Sequence, residues 1–198
     1  MAIAITIFSF GSIPAIAAGT SLPRVEPRVA QAAERPPPSI DYQAYVVERF
    51  TNSAGGEVLY RRGWWYSDQP DRGFGFDKVY HKHKIGDNQI VGAVVQNPGN
   101  VDEVGGGRWV HQGLWQRRQC DVNGDCTVID QEIVRVVIDY APWGAAPGRG
   151  QLGINTAYCE GKTQCPDWLN DLNASRSNTG DGNTDVVYVA RKISKTNE

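Results

Sequence analysis

The chain has 198 residues, 40% of them hydrophobic and 21% charged, with a formal net charge of −2. That is the composition of a globular protein with material for one core. The slight negative balance excludes any whole-molecule attraction to nucleic acid or anionic membranes, so binding of either has to come from a local patch.

Met1 to Ala18 carries no charge and runs through Ile3, Ile5, Ile7, Phe8 and Phe10 to a small-residue stretch, Ala15-Ile16-Ala17-Ala18. The apolar run is about 13 residues, short of the roughly 20 a membrane span needs. Residues 1–18 therefore read as a signal peptide cut near Ala17 or Ala18, although no Lys or Arg precedes the run. Residues 19–38 are rich in Pro and Ala and end in Pro36-Pro37-Pro38, which suits a spacer. A single domain is expected over 39–198.

Tyr42 to Phe50 and Glu57 to Arg62 read as strands joined by the turn Asn52-Ser53-Ala54-Gly55-Gly56. Gly73-Phe74-Gly75 introduces a predicted helix, Phe76 to Lys84. On it Phe76, Val79, Tyr80 and His83 share one face, and Lys78 and Lys82 share another. Arg108 to Gln119 alternates apolar and polar residues. Thr127 to Tyr140 returns with Val134, Val136 and Ile138 on one face, and Asn123-Gly124 marks the tight turn between them. A Gly/Pro-rich loop, Ala141 to Gly150, leads to a strand over Gln151 to Cys159. A short helix over Asp167 to Leu172, a polar loop over Asn173 to Asp185 and a last strand over Val186 to Ile193 complete the chain. The fold class is α+β, a mostly antiparallel β-sheet with one or two short helices.

Cys120, Cys126, Cys159 and Cys165 fall in two pairs of equal spacing. In an exported chain they read as disulfides, and of the three possible connectivities the local one is expected because turn-forming residues close each loop. Zinc is disfavoured by the spacing and the lack of nearby His. Asp121 to Asp125 with Glu132 mimics a calcium loop, but its sixth position is Cys126 where an EF-hand needs Gly. No metal or cofactor is expected.

The chemistry concentrates between Tyr60 and Lys84. Six basic residues, Arg61, Arg62, Arg72, Lys78, Lys82 and Lys84, stand against Asp68, Asp71 and Asp77. Two of the three histidines, His81 and His83, lie there too. Phosphodiester cleavage needs a group that accepts the 2′-hydroxyl proton and cations that stabilise charge on the phosphoryl oxygens. Trp64, Trp65, Tyr66, Phe74 and Tyr80 are interleaved and suited to stacking on bases. The plainer reading is a solvated basic helix face with core aromatics. No Gly-x-Ser-x-Gly, Walker loop or dinucleotide fingerprint is present.

Gly73-Phe74-Gly75, Lys82-His83 and Thr156-Ala157-Tyr158, in this order, resemble the pattern of secreted bacterial toxin ribonucleases of the barnase–EndoU–colicin–RelE group. Gly63-Trp64-Trp65 and Cys165-Pro166-Asp167-Trp168 resemble stretches in an uncharacterised group of small secreted actinobacterial proteins. The toxin resemblance implies a metal-independent endoribonuclease. In it His83 carries the proton, Lys82 is its electrostatic partner, and Thr156 and Tyr158 contact the phosphate or leaving group. His81 competes with His83, but two residues apart on a helix they point about 200° apart. Arg61, Arg62, Lys78 and Arg135 are further phosphate candidates, and Trp64 and Trp65 are candidates for base contact.

The expected partners are RNA and an immunity or inhibitor protein, with no stable membrane association once the signal is removed. The alternative is a non-catalytic secreted protein that binds a carbohydrate or protein through exposed Trp64, Trp65, Trp109 and Trp115. A third reading is an inhibitor presenting the Cys159 to Cys165 loop.

Overall fold

The computed structural model describes residues 35–172 and 183–190. The expected signal peptide, most of the spacer, most of the polar loop and the end of the last strand lie outside them, and Asn183 to Asp185, expected in that loop, open the last strand instead. Ser39 opens a short helix, α1 (Ile40–Ala44), by accepting a hydrogen bond from the Tyr42 amide, with Asp41 in the first turn. The strand expected from Tyr42 therefore begins later, as β1 (Val46–Thr51). It pairs antiparallel with β2 (Glu57–Arg61) across the anticipated turn.

Next come α2 (Gly75–His83), α3 (Asn88–Gln96) and a sheet of β3 (Asn100–Gly105), β4 (Arg108–Cys120), β5 (Cys126–Pro142), β6 (Gln151–Cys159) and β7 (Asn183–Val189). A 3₁₀ turn spans Asp167–Asn170. All sheet pairings are antiparallel, in the order β3-β4-β5-β6, and β7 joins β4 beyond the stretch that β3 occupies. The expected α+β class is what the chain adopts, with three short α-helices where one or two were expected. Both disulfides are local, Cys120–Cys126 at the β4–β5 tip and Cys159–Cys165 after β6. Such bonds persist in oxidising, extracellular-type surroundings. Among the described residues no helix is long and apolar enough to cross a membrane.

The main core lies where α2, α3 and the β1–β2 hairpin meet the sheet. Val79 of α2, Ile90, Val91, Val94 and Val95 of α3, Val134, Val136 and Ile138 of β5 and Ile154 and Ala157 of β6 are all essentially inaccessible there. A smaller cluster joins Ala44, Trp64, Phe74, Trp143 and Ala146. Within the smaller cluster the chain crosses itself closely. Trp64 and Phe74 exchange both main-chain hydrogen bonds, each at 3.0 Å. Gly63 (φ 64°) lies so near that a Cβ on it would sit 1.9 Å from the Phe74 carbonyl oxygen. A Cβ on Gly75 would sit 2.5 Å from the Arg61 carbonyl oxygen. The Gly-Phe-Gly motif thus serves as the seat on which α2 starts, since only glycine tolerates both the positive φ and the contact.

Candidate functional site

Two anchors fix α2. At its start the Asp77 amide donates to the Arg62 carbonyl at 3.0 Å, and at its end Lys84 takes a left-handed conformation that closes the last turn. This brings His83 against the last part of β6, where its ring lies 5.6 Å from that of Tyr158. The histidine is only 7% exposed. Its Nδ1 lies 3.0 Å from the carbonyl oxygen of Thr163, within the Cys159–Cys165 loop, while its own carbonyl accepts from the Cys165 amide at 2.8 Å. A carbonyl can only accept, so the ring proton resides on Nδ1 and Nε2 keeps its lone pair. Burial pushes the His83 pKa down to about 4, the Thr163 carbonyl opposes this, and the nearby charges of Lys82 and Lys78 add to it. At neutral pH the imidazole is an uncharged base of fixed orientation.

On β5, Arg135 stands directly opposite Tyr158, and Val137 stands opposite Thr156. Cross-strand partners share a face, as do residues two apart, so Thr156, Tyr158 and Arg135 lie on one face. Arg135 is ion-paired with Glu160. Its Nε, and the hydroxyl oxygen of Thr156, are buried without a hydrogen-bond partner among the described residues. Buried polar groups are rarely left so, and where they are a functional reason is worth testing.

The other expected site residues lie elsewhere. His81 is exposed and stands edge-on to Tyr80, with ring centroids 4.9 Å apart. Lys82 donates to the Pro70 carbonyl at 2.7 Å and Lys78 to that of Gly73 at 3.2 Å, so both close the loop before α2 while still acting on His83 through their charge. Arg61 is 3% exposed, donates to the carbonyls of Ala44, Arg149 and Gln151, and lies over Trp143. Its guanidinium is committed to the main chain. Arg62 pairs with Asp77 at 2.9 Å and lies over Tyr42 and Phe76.

Trp64 and Trp115 are buried, which corrects the expectation that they are exposed. Trp65 is partly covered and donates to the Pro70 carbonyl. Among the described residues no group of three or more His, Cys, Asp or Glu side chains could hold a metal ion.

The sequence singles out His83 and Tyr158, which the fold brings side by side, but gives no sign of Thr163. That residue acts through a main-chain oxygen, which any residue type would supply.

No family model, curated protein or solved structure matches this chain.

Proposed function

We propose that this chain is a secreted, metal-independent ribonuclease or RNase-like toxin domain with His83 as its proton carrier. One observation carries the reading: the neutral His83 imidazole, its Nδ1 proton held by the Thr163 carbonyl, lies against Tyr158 of the Thr-Ala-Tyr strand. A base oriented from behind by a fixed acceptor is the arrangement that proton abstraction needs.

In this mechanism Nε2 accepts the 2′-hydroxyl proton of RNA as the 2′-oxygen attacks the adjacent phosphorus. The bond from phosphorus to the 5′-oxygen breaks, and that oxygen leaves with a proton from the Tyr158 hydroxyl or from water. The products are a 2′,3′-cyclic phosphate and a 5′-hydroxyl end, and the proton on Nε2 restores the donor. The unmet hydrogen-bonding capacity of Thr156 and Arg135 would stabilise the phosphoryl oxygens.

Incubation with RNA in excess chelator should give cyclic-phosphate ends. His83→Ala should slow cleavage by about 10²-fold or more, the usual contribution of a general base, with an unchanged circular dichroism spectrum. Full activity in that variant would overturn the assignment.

A further inference from the structure

The β1–β2 turn reaches over the end of the sheet and closes a cavity of about 320 Å³ lined by Asn52, Ser53, Val101, Trp109, His111 and Tyr140. Strand pairing assembles it. Val101 of β3 stands opposite His111 of β4, Trp109 stands opposite Ile138 of β5, and Tyr140 follows two residues on. All of these therefore share a face. The cavity adjoins a shallower basin at the end of α3 that carries Gln96, Asn97 and Asn100 and shares Ser53 and Val101.

We propose that this cavity binds a neutral saccharide, with Trp109 and Tyr140 as flat walls and His111, Asn52 and Ser53 as hydroxyl partners. Three observations converge on that ligand. First, no charged residue lines the cavity or the basin among the described residues, although 21% of the chain is charged. A phosphate, a carboxylate or an amine finds no counter-charge there, and a nucleic-acid strand, whose affinity comes chiefly from cations on its phosphates, is not served.

Second, His111 is only 4% exposed, and its Nδ1 is buried without a hydrogen-bond partner among the described residues. A wholly apolar ligand would leave that nitrogen unpaired, at a cost. A sugar hydroxyl both donates and accepts, so it suits either tautomer. Burial lowers the His111 pKa, and hydrogen bonding of the ring toward the Val95 and Val94 carbonyls opposes the shift. Third, the Tyr140 hydroxyl accepts from Asn52 Nδ2 at 2.9 Å, which leaves its own proton to donate.

A sugar ring offers an apolar C–H face to the aromatic walls and a rim of hydroxyls to the amides. The cavity lies at the small end of ligand pockets, which run from about 300 Å³, and so fits the end of an oligosaccharide. It shares no residue with the His83 site, and the proposal does not depend on nuclease activity.

Isothermal titration of the full chain with N,N′-diacetylchitobiose, cellobiose and maltose tests it. At least one disaccharide should saturate a single site below about 10 mM. Trp109→Ala should weaken that binding at least tenfold, and Tyr140→Phe severalfold, while RNA cleavage is unchanged. If Trp109→Ala does not fold, Tyr140→Phe alone decides. Absence of binding by all three sugars, or binding undiminished in the folded variants, would overturn the proposal.

Discussion

A histidine that ionises near pH 4 leaves two separate marks on solution behaviour. In the proposed reaction His83 is the base and must be unprotonated. Cleavage should therefore rise with pH up to about 4 and stay level through neutrality; a rate profile bending near the ordinary histidine value of about 6.5 would count against His83 as the base. The second mark is on stability. The unfolded chain protonates His83 near 6.5 and the folded one only near 4, so between those values the unfolded state holds the extra proton. Lowering the pH through this window destabilises the fold by at most about 1.4 kcal/mol per pH unit. His83→Gln should flatten that slope in urea midpoints measured across the window, leaving the part that His111, shifted in the same direction, contributes.

The seat of α2 matters as much as the side chains that the helix displays. Gly63→Ala would drive a methyl group into the Phe74 carbonyl, with no flexible side chain to give way. A loss of at least about 2 kcal/mol in denaturant titration is expected, with RNA cleavage falling alongside because the same contact aims His83. The elements legible in the sequence are those set by local chemistry. The β4–β5 hairpin announced itself through alternation and Asn123-Gly124, and α2 through its spacing of Phe76, Val79 and His83. Helix α3 went unassigned. Its β-branched Ile90, Val91, Val94 and Val95 have weak helix propensity, and it is their burial, beneath an Asp87 cap that accepts from the Gln89 amide, that makes them helical. Strand β3 was missed because its polar Asn100-Val101-Asp102-Glu103 run gains its partner only from β4. The pairing of Arg135 with Tyr158, on which the site depends, is a matter of register between strands and no local pattern encodes it.

Across the whole molecule the two disulfides do different work. Cys120–Cys126 closes an exposed tip, whereas Cys159 and Cys165 are buried in the main core. Closing loops this short contributes about 2 kcal/mol each by chain entropy. Replacing both cysteines of the tip by serine should cost about that much in thermal unfolding and leave RNA cleavage intact. The same exchange at Cys159 and Cys165 should cost more, because it buries two hydroxyls, and should also lower cleavage, because the loop holding the Thr163 carbonyl against His83 is released. Equal effects of the two replacements on activity would count against a role for that loop.

The sheet has a seam. Strands β3 and β7 occupy the same edge of β4 end to end, and they meet at Gly113, where Tyr188 and Val94 leave no room for a side chain. Val189 pairs with Leu114, and Asn183 with Cys120, so half of that edge waits for a segment that follows β6 in the chain. Until then Leu114 to Cys120 is an open strand edge able to recruit another chain. Arg117 and Arg118, both on that stretch, are the kind of charge that keeps such an edge from self-association. The order of assembly is thereby built in: a chain cut short before residue 183 would carry all of the His83 site and yet leave that edge open, with Arg117 and Arg118 alone opposing its pairing with another chain.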